Sequence, residues 1–167
     1  MKRTSYVLLI LILPLMSLTT GCGLKPSGPP VGANLDPKVT ANELAAMAGT
    51  WVYERQVTEG REVPIAEMET STIVITGNSL VRNVNKAAGQ SLPPIKSVIS
   101  VDPTANPKQM DDDADVGLRI SRRLGIYRLE ADKLTHCYDN TGKQRPQSFD
   151  SPAGSSFVLA VLRRPSK

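Results

Sequence analysis

From Trp51 onward, apolar residues recur at alternate positions or in short unbroken runs, separated by Gly, Pro, Asn and Asp. Such spacing marks strands, because successive side chains of an extended chain point to opposite faces. Eight runs are legible: Trp51 to Val57, Thr70 to Thr76, Leu80 to Val84, Ile95 to Val101, Val116 to Ile120, Gly125 to Leu129, Leu134 to Tyr138 and Phe157 to Leu162. Gly77-Asn78 and Ala131-Asp132 read as two-residue hairpin turns. Ala87 to Pro94 reads as a loop, and the prolines and aspartate of Asp102 to Pro107 force turns. No segment after Gly49 has a helical period long enough for a crossover, so a parallel α/β sheet is not expected. The pattern predicts an all-β fold, an eight-stranded antiparallel up-and-down barrel, whose closure leaves no edge strand exposed.

One short helix is predicted ahead of the barrel. Thr40-Ala41-Asn42-Glu43 has the form of a capping box, and Leu44-Ala45-Ala46-Met47 continues with good helix formers before Gly49 stops the helix. Leu44, Met47 and Ala48 share one face, so the helix is expected to pack on the barrel.

The first residues carry a different pattern. Lys2 and Arg3 precede an apolar run from Tyr6 to Leu18, interrupted by Pro14 and ending in Leu18-Thr19-Thr20-Gly21-Cys22. That run is too short for a comfortable membrane span and reads as an export signal. Its end resembles the bacterial lipoprotein cleavage box, with Thr19 where leucine usually stands and Leu18 one place earlier. This resemblance implies cleavage before Cys22 and lipidation of Cys22, with simple secretion and a free Cys22 as the alternative. Residues 1–21 are then the signal peptide, 22–35 a Pro/Gly-rich tether, and 36–167 the barrel domain. The expected location is the cell envelope, with the chain held to a membrane through its lipid anchor.

Charge adds an exclusion. Without Lys2 and Arg3 the chain holds 18 basic against 16 acidic residues, and the basic ones are dispersed, so no nucleic-acid partner is expected. Arg122-Arg123 and Arg163-Arg164 read as solvated strand ends. Asp111-Asp112-Asp113-Ala114-Asp115 invites a calcium reading but lacks the alternating ligands, the glycine and the distal glutamate of a calcium loop; a solvated acidic loop is the plainer reading. His136 and Cys137 are strand neighbours facing opposite ways and cannot share a metal. Cys137 reads as a small buried thiol. No metal-ligand spacing, nucleophile elbow or phosphate loop is present, so neither an enzyme nor a metal or other cofactor is expected.

Four segments carry a further resemblance: GTWVYERQVTEGREVP at 49–64, DPTANPKQMD at 102–111, LGIYRLEADKLTHCYD at 124–139 and KQRPQSFDSPAG at 143–154. Gly49-Thr50-Trp51 is similar to the motif that opens the first lipocalin strand, and the four together resemble an uncharacterised lipocalin-like domain family of planctomycete bacteria. The resemblance implies a lipocalin-like barrel in which Trp51 closes the floor beneath an arginine from near the chain end. Arg164 is the first candidate for that arginine and Arg145 the second; a ligand-stacking Trp51 is the other reading. The family brings no ligand-binding residues. Two functions remain open: a carrier of a small apolar ligand inside a mainly apolar barrel, or a packed barrel whose surface engages envelope proteins or glycans.

Overall fold

The computed structural model describes residue 29 and residues 31–68, 71–86, 90–117 and 119–166. Its main body is a closed barrel of eight antiparallel strands: β1 (Gly49–Thr58), β3 (Thr72–Thr76), β4 (Ser79–Asn83), β7 (Ile95–Asp102), β8 (Lys108–Asp115), β9 (Ile120–Leu129), β10 (Lys133–Asp139) and β11 (Phe157–Arg163). Each strand pairs with its neighbour in sequence, and β11 returns to pair with β1, so the meander is closed. A stub β2 (Arg61–Glu62), the ribbon of β5 (Asn85–Lys86) and β6 (Gln90–Ser91), and the single turn α2 (Ile65–Met68) are added near one end. Helix α1 (Pro37–Met47) lies at the other.

Two expected elements are corrected. The fifth strand does not run from Val116 to Ile120; it is β8, which contains the whole acidic run, while Val116 and Gly117 belong to the turn before β9. Helix α1 begins at Asp36, not Thr40: the Asp36 carboxylate accepts from the Lys38 amide at 2.8 Å, and Pro37 takes the first helical position, where its missing N–H costs nothing. Glu43 is thereby released from capping. Its carboxylate instead accepts from Lys108 Nζ at 2.7 Å and Tyr127 Oη at 2.9 Å, tying the helix to β8 and β9.

Near this end the barrel is filled by one apolar cluster that includes Met47, Trp51, Ile75, Leu80, Val101 and Leu162, with Leu44 of the helix packed against it. Trp51 has no exposed surface, and its indole N–H donates to the Met47 carbonyl at 2.9 Å. The Arg164 guanidinium lies 3.9 Å from the Trp51 ring centroid. It also donates to the carbonyls of Ala48 and Ala46 at 2.5 and 3.0 Å, meeting acceptors that the helix end leaves unsatisfied. Gly49, at φ +120°, is required here: a Cβ would run into the Arg164 guanidinium. Arg145 is elsewhere, on the outside of the barrel, paired with Asp111 at 2.7 Å and bonded to the Gly125 carbonyl at 2.5 Å.

That outer position belongs to a second, smaller core. Val57, Ile126, Cys137 and Leu159 point out of the barrel and pack with Phe149 and Phe157. Phe149 lies in the connection between β10 and β11, which crosses the outer face. Asp139 anchors the connection, accepting from the amides of Thr141, Lys143 and Gln144 at 2.9, 2.7 and 2.8 Å. The Cys137 thiol contacts the Asp150 carbonyl at 3.2 Å, and burial pushes its pKa up to about 11, so it stays a thiol at neutral pH.

Residues 1–21, where a signal peptide is expected, and Cys22 lie outside the described residues. Of the 22–35 segment, Val31 to Leu35 form a turn in which Leu35 N donates to the Gly32 carbonyl at 3.0 Å.

Candidate functional site

Above the apolar half, the interior changes character. Strand alternation sends Met110, Asp112 and Ala114 of β8 inward and Asp111, Asp113 and Asp115 outward. Antiparallel register then places Asp112 opposite Arg123 of β9 and Asp113 opposite Arg122. The outer pair is bidentate, at 2.7 and 2.8 Å. The inner pair is buried. Asp112 Oδ2 lies 3.5 Å from Arg123 Nη1 and 3.6 Å from Arg82 Nη2, a third charge brought in by β4. Neither oxygen of Asp112 makes a hydrogen bond among the described residues, although its side chain is fully buried.

These positions overturn two expectations. The acidic run is a strand with a buried carboxylate, not a solvated loop. Arg123 is an interior residue, not a solvated strand end. The interior is mainly apolar as expected, but it is not free of charge, since a layer of Arg82, Asp112 and Arg123 crosses it. Alternation also sends the carboxylates of the acidic run to two opposite faces of β8. Among the described residues no group of three or more His, Cys, Asp or Glu is placed to hold a metal ion.

Aromatic and polar groups surround the three charges. Arg82 Nε donates a hydrogen bond to Tyr53 Oη at 3.2 Å, and the Arg123 guanidinium lies 5.4 Å from the Tyr138 ring centroid. Burial raises the Tyr53 pKa, so the phenol remains protonated and neutral. His136 stacks at 4.9 Å from Tyr138, facing inward while Cys137 faces the outer core. Its room comes from Gly125: a Cβ there would lie 2.5 Å from His136 Nε2 and 2.9 Å from the Met110 carbonyl oxygen. Burial, reinforced by Arg82, Arg123 and Arg145 against the pull of Asp112, lowers the His136 pKa to about 3. The imidazole is therefore neutral at physiological pH.

That shift has a sign. Below about pH 6.5 the unfolded chain binds a proton at His136 that the native state refuses, so stability falls with pH until about pH 3. A slope of about 1.4 kcal/mol per pH unit is expected from one such proton. Asp139 adds a separate limb: burial alone would raise its carboxyl, but hydrogen bonds from Ser156, Thr141 and Gln144 outweigh that and hold it at about 2. Its stabilisation is complete above about pH 4 and disappears as pH falls through 2. Denaturant titrations from pH 7 to pH 2 should show both limbs, and His136→Asn should flatten only the upper one. An unchanged upper limb in that variant would contradict the neutral, buried imidazole.

The charged layer is the floor of a cavity of about 550 Å³ at the end of the barrel opposite α1. Arg82, Arg123, Tyr53 and Tyr138 line its depth together with Gln56 and Asn140. Val63, Met68, Val84, Ile95 and Val116 line the rest with Ser71, Ser121, Glu67 and Arg119. Sequence reading missed every one of these residues as a site. The one available signal was the acidic run beside the Arg122-Arg123 doublet, which makes sense only once both are strands in register.

Comparison with protein-family models, with curated proteins and with solved structures finds no match.

Proposed function

We propose that this chain is an envelope lipoprotein whose barrel binds a small molecule in the cavity above the charged floor. The observation that carries the reading is the cavity itself: a closed barrel with one end plugged and about 550 Å³ open at the other. Volumes of this order suit a small ligand, and the lining mixes apolar walls with a few convergent polar groups. The open upper part of the barrel favours this reading over an outward-facing interaction module with a packed interior. Nile red, an uncharged environment-sensitive dye, should be taken up by the purified chain at one per barrel. Val63→Trp, which fills volume at the mouth without adding charge, should weaken uptake at least tenfold. Absence of saturable uptake of both Nile red and an amphipathic acid such as octanoate by folded protein would remove the carrier reading.

Anchoring is a separate part of the proposal and rests on Leu18 to Cys22. Metabolic labelling with a radioactive fatty acid in a bacterial host should mark the wild type and not Cys22→Ser. Equal labelling of both would sink it.

A further inference from the structure

We infer that the ligand is an amphipathic anion, a carboxylate or phosphate group on an apolar tail, bound with its acidic head on Arg82 and Arg123. The inference rests on the binding reading above and specifies what that cavity selects.

Charge is the first argument. Two buried guanidiniums face one carboxylate, with side-chain exposures of 8% for Arg82, 7% for Arg123 and 0% for Asp112. His136 beneath them is neutral and cancels nothing, so the floor holds one positive charge in excess. At the rim Arg119 and Glu67 offset each other. A buried, uncompensated cation is costly, and an anion seated beside it removes that cost.

Hydrogen-bonding capacity is the second. Arg82 spends one N–H on Tyr53, and its approach to Asp112 at 3.6 Å is longer than a hydrogen bond. Arg123 meets Asp112 at 3.5 Å and otherwise stacks on Tyr138. Most of their N–H groups therefore have no acceptor among the described residues, and both side chains line the cavity. Planar guanidinium forks match the paired oxygens of carboxylate and phosphate, which an alcohol or a neutral ester does not offer.

The third argument is the direction of polarity. The arginines belong to the barrel wall at the floor. Val63, Met68 and Val116 come from the connections and the short helix around the mouth, and Ile95 begins β7 there. A ligand entering head first places its charge on the arginines and leaves its tail against these side chains. Lining of this kind rewards burial of a chain without demanding its length.

Isothermal titration of the purified full chain with octanoate, octyl phosphate, 1-octanol and acetate tests this directly. Octanoate or octyl phosphate should bind at least tenfold more tightly than octanol, and acetate should bind far more weakly than octanoate. The stronger of the two acids identifies the head group. Arg123→Met should reduce acid binding tenfold or more and octanol binding far less, so that the preference for acid over alcohol falls. Asp112→Asn, which removes the competing carboxylate, should tighten acid binding and raise the melting temperature of the acid complex over the free variant by more than in the wild type. Where a variant fails to fold, the wild-type comparison of acid with alcohol still decides. Octanol binding as tightly as both acids would overturn the anionic head while leaving the carrier reading intact. Acetate binding as tightly as octanoate would overturn the amphipathic tail. Binding of none of these probes, with no uptake of Nile red, would remove the cavity reading itself.

Discussion

Asp112→Ala is expected to destabilise the fold by about 3–5 kcal/mol, the range for removing one partner from a buried ion pair. The physical basis is the layer of Arg82, Asp112 and Arg123, all nearly or fully excluded from solvent. Removing the carboxylate leaves two guanidiniums close together in the barrel with no counter-charge, and the void left by the side chain adds to the cost. The separations of 3.5 and 3.6 Å do not weaken this expectation, because the penalty comes mainly from what is left unpaired. Urea unfolding at neutral pH should show the midpoint falling with an unchanged slope. A combined replacement, Arg82→Met with Asp112→Leu and Arg123→Met, should recover most of the loss, since an apolar layer of similar volume needs no charge balance. An unchanged midpoint in Asp112→Ala would mean that the layer is solvated, contrary to its burial. Recovery of stability by the triple variant together with loss of acid binding would separate the layer's structural cost from its use.

Trp51→Ala should cost about 3–5 kcal/mol, the usual range for truncating a fully buried aromatic. Trp51 is enclosed by the apolar cluster at the plugged end and roofed by Arg164 at 3.9 Å, and its N–H holds the last turn of α1 through Met47. Arg164→Met keeps much of the packing but loses the cation over the ring and the two helix-end hydrogen bonds; a loss of about 1–2 kcal/mol is expected. The double variant should be less destabilised than the sum of the singles by about 0.5–2 kcal/mol, because the Arg164–Trp51 contact can be lost only once. Additive losses would show that Arg164 acts on the helix end alone. Ligand uptake at the far cavity should survive Arg164→Met, since the plug and the charged floor occupy opposite ends of the interior.

The sequence by itself determined the architecture. Alternation in Ile73 to Ile75, the unbroken run Phe157 to Leu162 and the turns at Gly77-Asn78 and Ala131-Asp132 are local signals, and all stand where the barrel has strands and hairpins. Short connections leave β3 and β4, and then β7, β8, β9 and β10, little choice of partner, whereas the longer links before β3, β7 and β11 leave those pairings to tertiary structure. The one displaced strand shows the limit. In Lys108 to Asp115 the inward positions are Met110, Asp112 and Ala114, so hydropathy does not alternate, and aspartate is a poor strand former. What stabilises β8 is its neighbours: Ile99 and Arg123 across the ladders on the inner side, and Arg122 and Arg145 as ionic partners on the outer.

Tertiary structure alone decided the charged layer of the interior. Arg82, Asp112 and Arg123 stand 30 and 11 residues apart along the chain and meet only because β4, β8 and β9 present them at one height of a closed barrel. Likewise, Glu43 reads as half of a capping box until Lys108 and Tyr127 arrive from distant strands and compete for it. Local pattern governs the backbone because each turn and strand is stabilised within a few residues. The pairing of charges depends on closure and register, which bring together groups that share no sequence neighbourhood.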